Sequence, residues 1–213
     1  MNKTIAIWIG VFAVTFGVLF VLIKHSASRP VKTDYPEANV IAATDHTSGN
    51  AVAKSHLIEY GDFQCPGCGQ VEPFVEQIRN DYKDKLLVIF RNFPLPGHAH
   101  AMLAAQYAEA AGLQGKYWEM HDAIYAHQTD WSKLGDAEPS FKGYAQDLKL
   151  DITRLARDIK SDAVTKKIQD DQTAQNKYGV DSTPTFFLNG KKIRPASFDE
   201  FRSLINAAIA AQG

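Results

Sequence analysis

The sequence predicts an α/β domain in which a helical segment separates two parts of one sheet, preceded by a single N-terminal transmembrane helix. Three observations carry this prediction. Two apolar runs with the length of buried strands flank an amphipathic helix pattern between residues 57 and 90. A strand–turn–strand pattern and a last helix follow residue 184, and residues 98–178 between the two parts have helical character. An uncharged apolar run occupies residues 5–23.

Residues 1–24 have the features of a membrane anchor. The apolar run at 5–23 would form a helix about 28 Å long, close to the hydrocarbon thickness of a bilayer. Lys3 and Lys24 flank it at the depth of the lipid headgroups. A cleaved signal sequence is the alternative, because the small residues Ser26-Ala27-Ser28 follow.

Residues 25–54 are expected to be a polar tether. This segment contains Pro30, Pro36 and Gly49, which interrupt regular structure. Its apolar content is limited to short patches such as Val40-Ile41, which would add at most one edge strand.

Residues 55–97 form the first part of the predicted sheet. Leu57–Tyr60 reads as a buried strand, and Leu86–Phe90 is a continuous apolar run that is typical of a central strand. Between them, apolar residues recur at helical spacing, namely Val71, Phe74, Val75 and Ile78. The predicted order is therefore strand, helix, strand.

The two cysteines of the chain, Cys65 and Cys68, lie where the first strand gives way to this helix. Pro66 suits the first helical turn, where its missing N–H is not needed. A disulfide across so short a loop would constrain the unfolded chain very little, so redox chemistry or metal binding explains the pair better. The free N–H groups and the dipole of a helix start favour an anion. We therefore expect Cys65 to be the exposed nucleophilic thiolate and Cys68 its resolving partner.

Metal binding remains an alternative for the cysteine pair. A structural zinc site needs four ligands, and His98 and His100 are candidates to complete a Cys2His2 set. Their spacing is shorter than the usual one, which argues against zinc. A non-enzymatic module that handles Cu(I) between Cys65 and Cys68 also stays open.

Residues 98–178 are predicted to form an inserted helical subdomain. Helical patterns cover Ala101–Ala111, which stops at Gly112, and also Tyr117–His127 and Asp162–Lys177. Four aromatic residues of this segment are expected to be core rather than groove residues, namely Tyr117, Trp118, Tyr125 and Trp131.

Residues 179–213 complete the sheet. Thr185–Leu188 reads as a strand, Asn189-Gly190 is a strong hairpin signal, and Lys191–Arg194 reads as the returning strand. Ser197 and Glu200 form a capping box that opens the last helix. The buried face of that helix is predicted to carry Phe201, Leu204, Ile205 and Ile209.

Several segments together resemble the DsbA family of thioredoxin-like proteins, from about Gly49 to the C-terminus. They are the active-site segment Glu59–Cys68, the downstream segments Arg91–Leu95, His98 and Gly115–His121, and the proline loop Thr183–Phe187. The resemblance implies a thioredoxin fold with a helical insertion, and a cis peptide between Thr183 and Pro184 that faces the cysteines.

The resemblance also implies roles for nearby residues. Glu59 matches a carboxyl that lies beneath the active site, where burial would raise its pKa and let it exchange a proton with Cys68. An ordinary water-facing Glu59 is the alternative. Pro66, Gly67 and His98 are candidates for the substrate groove.

The implied function is thiol–disulfide exchange, most consistent with a disulfide oxidase that needs no cofactor beyond the redox-active Cys65–Cys68 disulfide. Its expected partners are extracytoplasmic protein thiols and a membrane protein that resets the dithiol. A reductase of the same fold and a redox-inert chaperone or adhesion scaffold stay open. The net charge of −1 gives no reason to expect nucleic-acid binding.

The expected location is the cell membrane, with a single span and a periplasmic or extracellular catalytic domain, because disulfides persist there. The positive-inside rule would instead keep the catalytic domain in the cytoplasm, since Lys24, Arg29 and Lys32 follow the apolar run.

Overall fold

The computed structural model describes residues 12, 15–17 and 32–212. The chain divides into Met1–Thr33 and a compact unit, Asp34–Gly213. Within the described ranges, no helix combines the length and the apolar character needed to cross a bilayer. The anchor that we expect at residues 1–24 lies largely outside those ranges.

The compact unit is built on a five-stranded mixed sheet with the order β1-β3-β2-β4-β5. The strands are β1 (His46–Gly49), β2 (Ser55–Gly61), β3 (Leu86–Asn92), β4 (Thr185–Leu188) and β5 (Lys191–Ile193). Strands β2 and β3 are parallel, and the other neighbours are antiparallel. The central strand β2 therefore lies between β3 and β4, and its carboxyl end leads directly into the cysteine segment.

Helices cover both faces of the sheet, as the continuous apolar runs of its central strands predict. On one face, helix α1 (Pro66–Asp81) and the C-terminal helix pack over the sheet through Ile78 and Phe201. On the other face, Ile58 and Ile89 pack against the C-terminal end of the helical insertion and the segment around Val180. Successive residues of each strand point to opposite faces, so the two clusters share strands but not side chains.

The helical insertion contains more helices than the sequence predicts. Its helices are α2 (Ala101–Gly112), α3 (Tyr117–Ala126), α4 (Gln128–Trp131), α5 (Glu138–Asp147), α6 (Ile152–Asp158), α7 (Asp162–Gln172) and α8 (Ala174–Tyr178). The helix predicted at 162–177 is interrupted at Thr173, whose hydroxyl donates to the carbonyl of Asp170. The four aromatic residues belong to or pack against one core cluster, which confirms that prediction.

The second part of the sheet follows the sequence closely. Asn189 and Gly190 both have positive φ, 51° and 80°, as a two-residue hairpin of this type requires. The returning strand ends at Ile193 rather than Arg194. Ser197 accepts a hydrogen bond from the Glu200 amide at the start of α9 (Phe198–Ala210), which confirms the predicted cap.

The tether prediction is wrong for its C-terminal part, because residues 34–54 fold onto the domain. A 3-10 helix covers Pro36–Asn39, and β1 forms the edge strand instead of Val40-Ile41, which are exposed. The guanidinium of Arg91 holds this segment through the Asp45 carboxylate and the Val40 carbonyl, both at 2.7 Å. A buried ion pair and backbone bonds attach the segment, together with Tyr35 and Ala38, which pack into the apolar cluster around Ile58.

Candidate active site

The dithiol lies at the start of α1, where β2 ends. Cys65 is the N-cap residue with extended backbone angles, φ −66° and ψ 122°, and Pro66 occupies the first helical position. The carbonyl of Cys65 accepts the first helical hydrogen bond from Gly69, at 3.1 Å. The cysteines are therefore placed as predicted, because a proline and an N-cap start the helix between them.

The two sulfur atoms occupy different environments. Cys65 is 8% exposed and Cys68 is 0% exposed, so Cys65 is the more accessible of the two but is not the exposed residue that we expect from sequence. Cys65 is less exposed than expected because the proline loop covers it: its Sγ lies 3.4 Å from the Thr183 carbonyl oxygen. A substrate sulfur can therefore reach Cys65 Sγ from only a narrow range of directions.

The pKa of the Cys65 thiol is lowered to about 5, first through a hydrogen bond from the Cys68 thiol. The Thr183 side chain and the backbone N–H groups of Gly67 and Cys68 act in the same direction, and burial opposes them. Burial instead raises the pKa of Cys68 well above its ordinary value, and negative charge on Glu59 adds to this rise. One sulfur is thus an anion and the other a thiol near neutral pH.

The proline loop faces the dithiol. The Thr183–Pro184 peptide is cis, as the resemblance implies. A Cβ atom placed on Gly67 would lie 3.5 Å from Pro184 Cδ, so the loop and the first turn of α1 are in close approach. The buried Thr183 hydroxyl has no hydrogen-bond partner within the described residues, and its effect on Cys65 is to lower the pKa of that thiol.

Glu59 is buried beneath the dithiol rather than facing water. It lies on the central strand β2, opposite Phe90 and Phe186 of the flanking strands, and is 1% exposed. Neither carboxyl oxygen has a hydrogen-bond partner in the described part of the chain. Burial raises its pKa to about 8, against the lowering effect of the Arg79 charge. Glu59 is therefore largely protonated near neutral pH.

Asp62 and His98 stabilise the turn that precedes Cys65. His98 Nδ1 lies 2.6 Å from Asp62 Oδ2, and the Asp62 side chain is buried. The other Asp62 oxygen accepts from the Gln64 amide at 2.7 Å, and the Asp62 amide donates to Cys68 Sγ at 3.5 Å. His98 is therefore near the active site, but it contacts the turn rather than either sulfur.

Two glutamines attach the active-site turn to the helical insertion, and no motif in the sequence singles them out. Gln128 Nε2 donates to the carbonyls of Phe63 and Cys65, at 2.7 and 2.9 Å. Gln64 Nε2 donates to the Ser132 carbonyl at 2.8 Å. All three bonds join residues more than sixty positions apart, and such contacts leave no local sequence pattern.

Zinc binding by the cysteines and the two histidines is not supported by the positions of the histidines. His98 Nδ1 pairs with Asp62, and His100 Nε2 lies 2.7 Å from the Leu134 carbonyl oxygen. Among the described residues, the two histidines and the two cysteines do not form a group of ligand atoms close enough to share a metal ion.

Two shallow clefts meet beside the dithiol and the proline loop. One, of about 320 Å³, is lined by residues of α1 and α9 that include Gly67, Val71, Phe74 and Phe198. The other, of about 290 Å³, is lined by Val71, Pro184 and Phe186 among others. Together they form a mostly apolar groove that begins at the first turn of α1.

This sheet, with a Cys-x-x-Cys at the start of its central helix and a cis-proline opposite, defines a thioredoxin-like protein. A family model described as thioredoxin matches residues 42–207. The chain belongs to the thioredoxin family.

Known proteins resemble the chain in two ways. The Na(+)/H(+) antiporter NhaA 1 of Salinispora arenicola is 39% identical over 150 residues, which cover 70% of this chain and 22% of the antiporter. The chain thus spans less than a third of that relative.

Among solved structures, α-DsbA1 of Wolbachia pipientis has a TM-score of 0.73 at 23% identity, covering 83% of this chain and 96% of that one. The thiol-disulfide exchange protein α-DsbA2 of the same organism has a TM-score of 0.67 at 22% identity, covering 78% and 87%. Both structures share the fold.

Proposed function

We propose that the chain catalyses thiol–disulfide exchange on protein substrates through Cys65 and Cys68, and that it acts as a disulfide oxidase. One observation supports this proposal most: the pKa of the Cys65 thiol is lowered, whereas the pKa of the Cys68 thiol is raised. A stabilised Cys65 thiolate is a good leaving group, which favours passing the disulfide to a substrate.

The proposed reaction has two exchange steps. A substrate thiolate attacks Cys65 of the oxidised protein, which forms a mixed disulfide and releases Cys68 as a thiolate that takes up a proton. The second substrate thiolate then attacks the substrate sulfur of the mixed disulfide, and Cys65 leaves as the thiolate. Two electrons pass from the substrate to the protein, and the substrate gains a disulfide.

The groove beside Pro184 supports a protein substrate. It is mostly apolar and begins at Gly67, two residues after Cys65, so an extended segment that lies along it could bring its cysteine to Cys65 Sγ. Free backbone groups of the proline loop would pair with that segment. We propose Pro66 and Gly67 as groove residues and His98 as a residue that orients the turn.

We propose that the domain acts outside the cytoplasm, attached to the membrane through residues 5–23, on extracytoplasmic thiols, and that a membrane redox partner reoxidises it. The relative described as an antiporter supports a membrane position, because 22% of that membrane protein matches this chain. The apolar run at 5–23 supports it independently.

The reduction potential of the full-length chain in detergent tests the direction. Equilibration with glutathione buffers is expected to give a value near that of strongly oxidising dithiols, about −120 mV, rather than near about −270 mV. A value near the lower figure would assign a reductase instead. Absence of any reversible two-electron couple, with Cu(I) bound by the cysteine pair, would contradict both.

A further inference from the structure

A cleft of about 540 Å³ opens on another face of α1 than the apolar groove, between α1 and the α3–α4 region. Pro66, the residue after Cys65, borders this cleft. Gln128, whose side-chain amide donates to the Cys65 carbonyl at 2.9 Å, forms part of its wall. The cleft therefore begins beside the dithiol, and its volume is in the range of ligand-binding clefts.

The cleft is acidic. Three carboxyl side chains line it, those of Glu72, Glu76 and Asp122, and none of the described residues of its lining is a lysine, an arginine or a histidine. The rest of its wall includes apolar surface, from Pro66, Pro73, Tyr125 and Ala126. A negative charge beside apolar surface suits a long cationic side chain, whose stem is apolar and whose end is charged.

Two buried polar groups of the cleft wall have no partner of their own. Glu72 is 5% exposed, and neither of its carboxyl oxygens has a hydrogen-bond partner among the described residues. The same holds for the hydroxyl of Tyr125, which is also 5% exposed. Buried polar groups are nearly always paired, so two neighbouring exceptions point to a ligand that brings hydrogen-bond donors.

The protein's own cation does not occupy the cleft. Arg79 Nη2 lies 3.6 Å from Glu72 Oε1, too far for a hydrogen bond, and Arg79 does not belong to the lining. Its guanidinium contacts Asp122 Oδ1 instead, at 2.5 Å. Glu72, His121 and Asp122 lie close enough to hold a metal ion, but Arg79 and His121 Nδ1 already contact this Asp122 oxygen. The geometry thus favours an organic cation over a metal ion.

We propose that this acidic cleft binds a lysine or arginine side chain of the protein substrate, close in sequence to the cysteine that reacts with Cys65. The inference rests on the proposed thiol–disulfide exchange and narrows its substrates. A lysine supplies three N–H donors and an arginine five, which match the free oxygens of Glu72 and Tyr125.

The helix geometry sets the position of that side chain in the substrate. Glu72 lies seven residues after Cys65, which corresponds to about 10 Å along the axis of α1. An extended chain covers this distance in about three residues. We therefore expect the basic residue about three positions from the substrate cysteine, while apolar residues of the same segment occupy the groove beside Pro184.

Binding should depend on pH through Glu72. Burial raises the pKa of Glu72 well above its ordinary value, and repulsion from Glu59, Asp122 and Glu76 adds to the rise, whereas the Arg79 charge opposes it. The other titratable groups that face it are two residues of α3, His121 and Tyr125. A cation in the cleft favours the ionised carboxyl, so Glu72 releases a proton on binding. The preference for a basic substrate should therefore grow with pH until Glu72 is ionised in the empty cleft as well.

The test measures how fast the oxidised full-length chain, in detergent, oxidises matched peptides. Each peptide has two cysteines and carries, three residues after the second, either arginine or citrulline, its uncharged isostere. A second pair carries the same residues three positions before the first cysteine, for the opposite chain direction. Each rate, from acid quench at limiting peptide, is divided by the rate of that peptide with glutathione disulfide. Wild type should prefer arginine about tenfold in one of the pairs, because citrulline cannot form a charged hydrogen bond.

Three variants locate the cation. Glu72→Gln should lose most of the preference, and Glu76→Gln, at an exposed carboxylate, should lower it about two- to threefold. Asp84→Asn removes the same charge from an exposed residue that does not line the cleft, and it should keep the preference. The preference is a ratio within one variant, so a general loss of activity cancels. The exposed position of Glu76 keeps the test usable if Glu72→Gln does not fold.

The outcomes separate the inference from the proposed function. Equal rates for arginine and citrulline in wild type would overturn the inference and leave thiol–disulfide exchange standing, as would a preference that Glu72→Gln and Glu76→Gln both retain. Calcium binding in calorimetry that Glu72→Gln abolishes, with equal peptide rates, would overturn it in favour of a metal ion. Absence of any peptide oxidation by wild type would instead remove the proposed function.

Discussion

A cysteine thiol has its pKa lowered at the first turn of α1 and raised in the interior beneath that turn. At the first turn, Cys65 is surrounded by donors: the Cys68 thiol, the Thr183 side chain and two backbone amides. In the interior, Cys68 lies above a buried carboxyl and apolar residues, and its pKa rises. The position at a helix start therefore does not by itself determine the pKa values of the two thiols of a Cys-x-x-Cys pair. Hydrogen-bond donors around Cys65 and the burial of Cys68 together separate the two roles.

The largest expected effect is on the nucleophile. Cys65→Ser should abolish disulfide exchange, by about a thousandfold or more, because the thiolate is the attacking and leaving group. Cys68→Ser should keep the first step and accumulate mixed disulfides, which gel-shift assays on trapped complexes detect. If Cys65→Ser kept its activity, or if Cys68 formed the mixed disulfides instead, the assignment of the two roles would be reversed.

The second prediction concerns Glu59, for which stability and activity should move in opposite directions. A pKa raised from 4.5 to about 8 contributes stability below the unfolded value, and this contribution is lost as the pH rises through about 8. Glu59→Gln removes the buried charge. It should therefore raise the free energy of unfolding at alkaline pH by a few kcal/mol, on the order set by a shift of several pKa units.

Denaturant unfolding of Glu59→Gln at acidic and alkaline pH checks this sign. The gain over wild type should be small near pH 4.5 and largest above about pH 8. The same variant should lower turnover by about a hundredfold, since it cannot exchange a proton with Cys68. A gain that is equal at every pH would show that packing, not ionisation, is responsible.

The third prediction concerns the stability of the reduced form. The pKa of Cys65 is depressed to about 5, so its thiolate stabilises the reduced fold above the unfolded value of 9.0, and this stabilisation disappears as the pH falls through about 5. The stability difference between the reduced wild type and Cys65→Ser should therefore grow between these limits. Thermal unfolding in the presence of excess reductant measures it. A difference that does not change with pH would contradict a thiolate at Cys65.

A smaller effect is expected at Thr183. Thr183→Val removes a hydroxyl that lowers the pKa of the Cys65 thiol, but it keeps the side-chain shape and the backbone carbonyl, whose oxygen lies 3.4 Å from Cys65 Sγ. A hydrogen bond to a charged group contributes about 1.5–3 kcal/mol, so the pKa of Cys65 should rise by about one to two units. Iodoacetamide alkylation rates against pH report this change. Thr173→Val, at a hydroxyl remote from the dithiol, serves as the control and should leave these rates unchanged.

The smallest expected effect concerns the attachment of the turn to the insertion. Gln128→Ala removes two hydrogen bonds, to the carbonyls of Phe63 and Cys65. It should lower the free energy of unfolding by about 1–3 kcal/mol and leave the pKa of Cys65 nearly unchanged, because no donor to the sulfur is lost. Urea unfolding and the alkylation assay separate these effects. A large change in the pKa would show that the insertion also sets the thiol chemistry.

The sequence predicts the regions where apolar pattern and helix-start chemistry decide the structure. The strands at Leu57 and Leu86, the hairpin at Asn189-Gly190 and the dithiol at the start of α1 follow from local patterns. The cis peptide before Pro184 followed from the resemblance, since no local pattern requires it.

The remaining features depend on contacts between distant residues. Strand β1 is polar, so no apolar run in the sequence predicts it. The segment before it is held by the ion pair between Asp45 and Arg91. Glu72 reads as a polar helix residue, and its burial follows only from the packing of α3 against α1. The cover over Cys65 by the proline loop likewise joins residues 118 positions apart.

The central claim is that Cys65 is held as a thiolate while Cys68 remains a thiol. Titration of the thiolate absorbance of the fully reduced chain, in wild type and in Cys68→Ser, tests it most directly. Wild type should show one transition with a midpoint near pH 5 and a second well above 9.0. Two transitions in the ordinary range of free cysteine, about 8.5, would contradict the account.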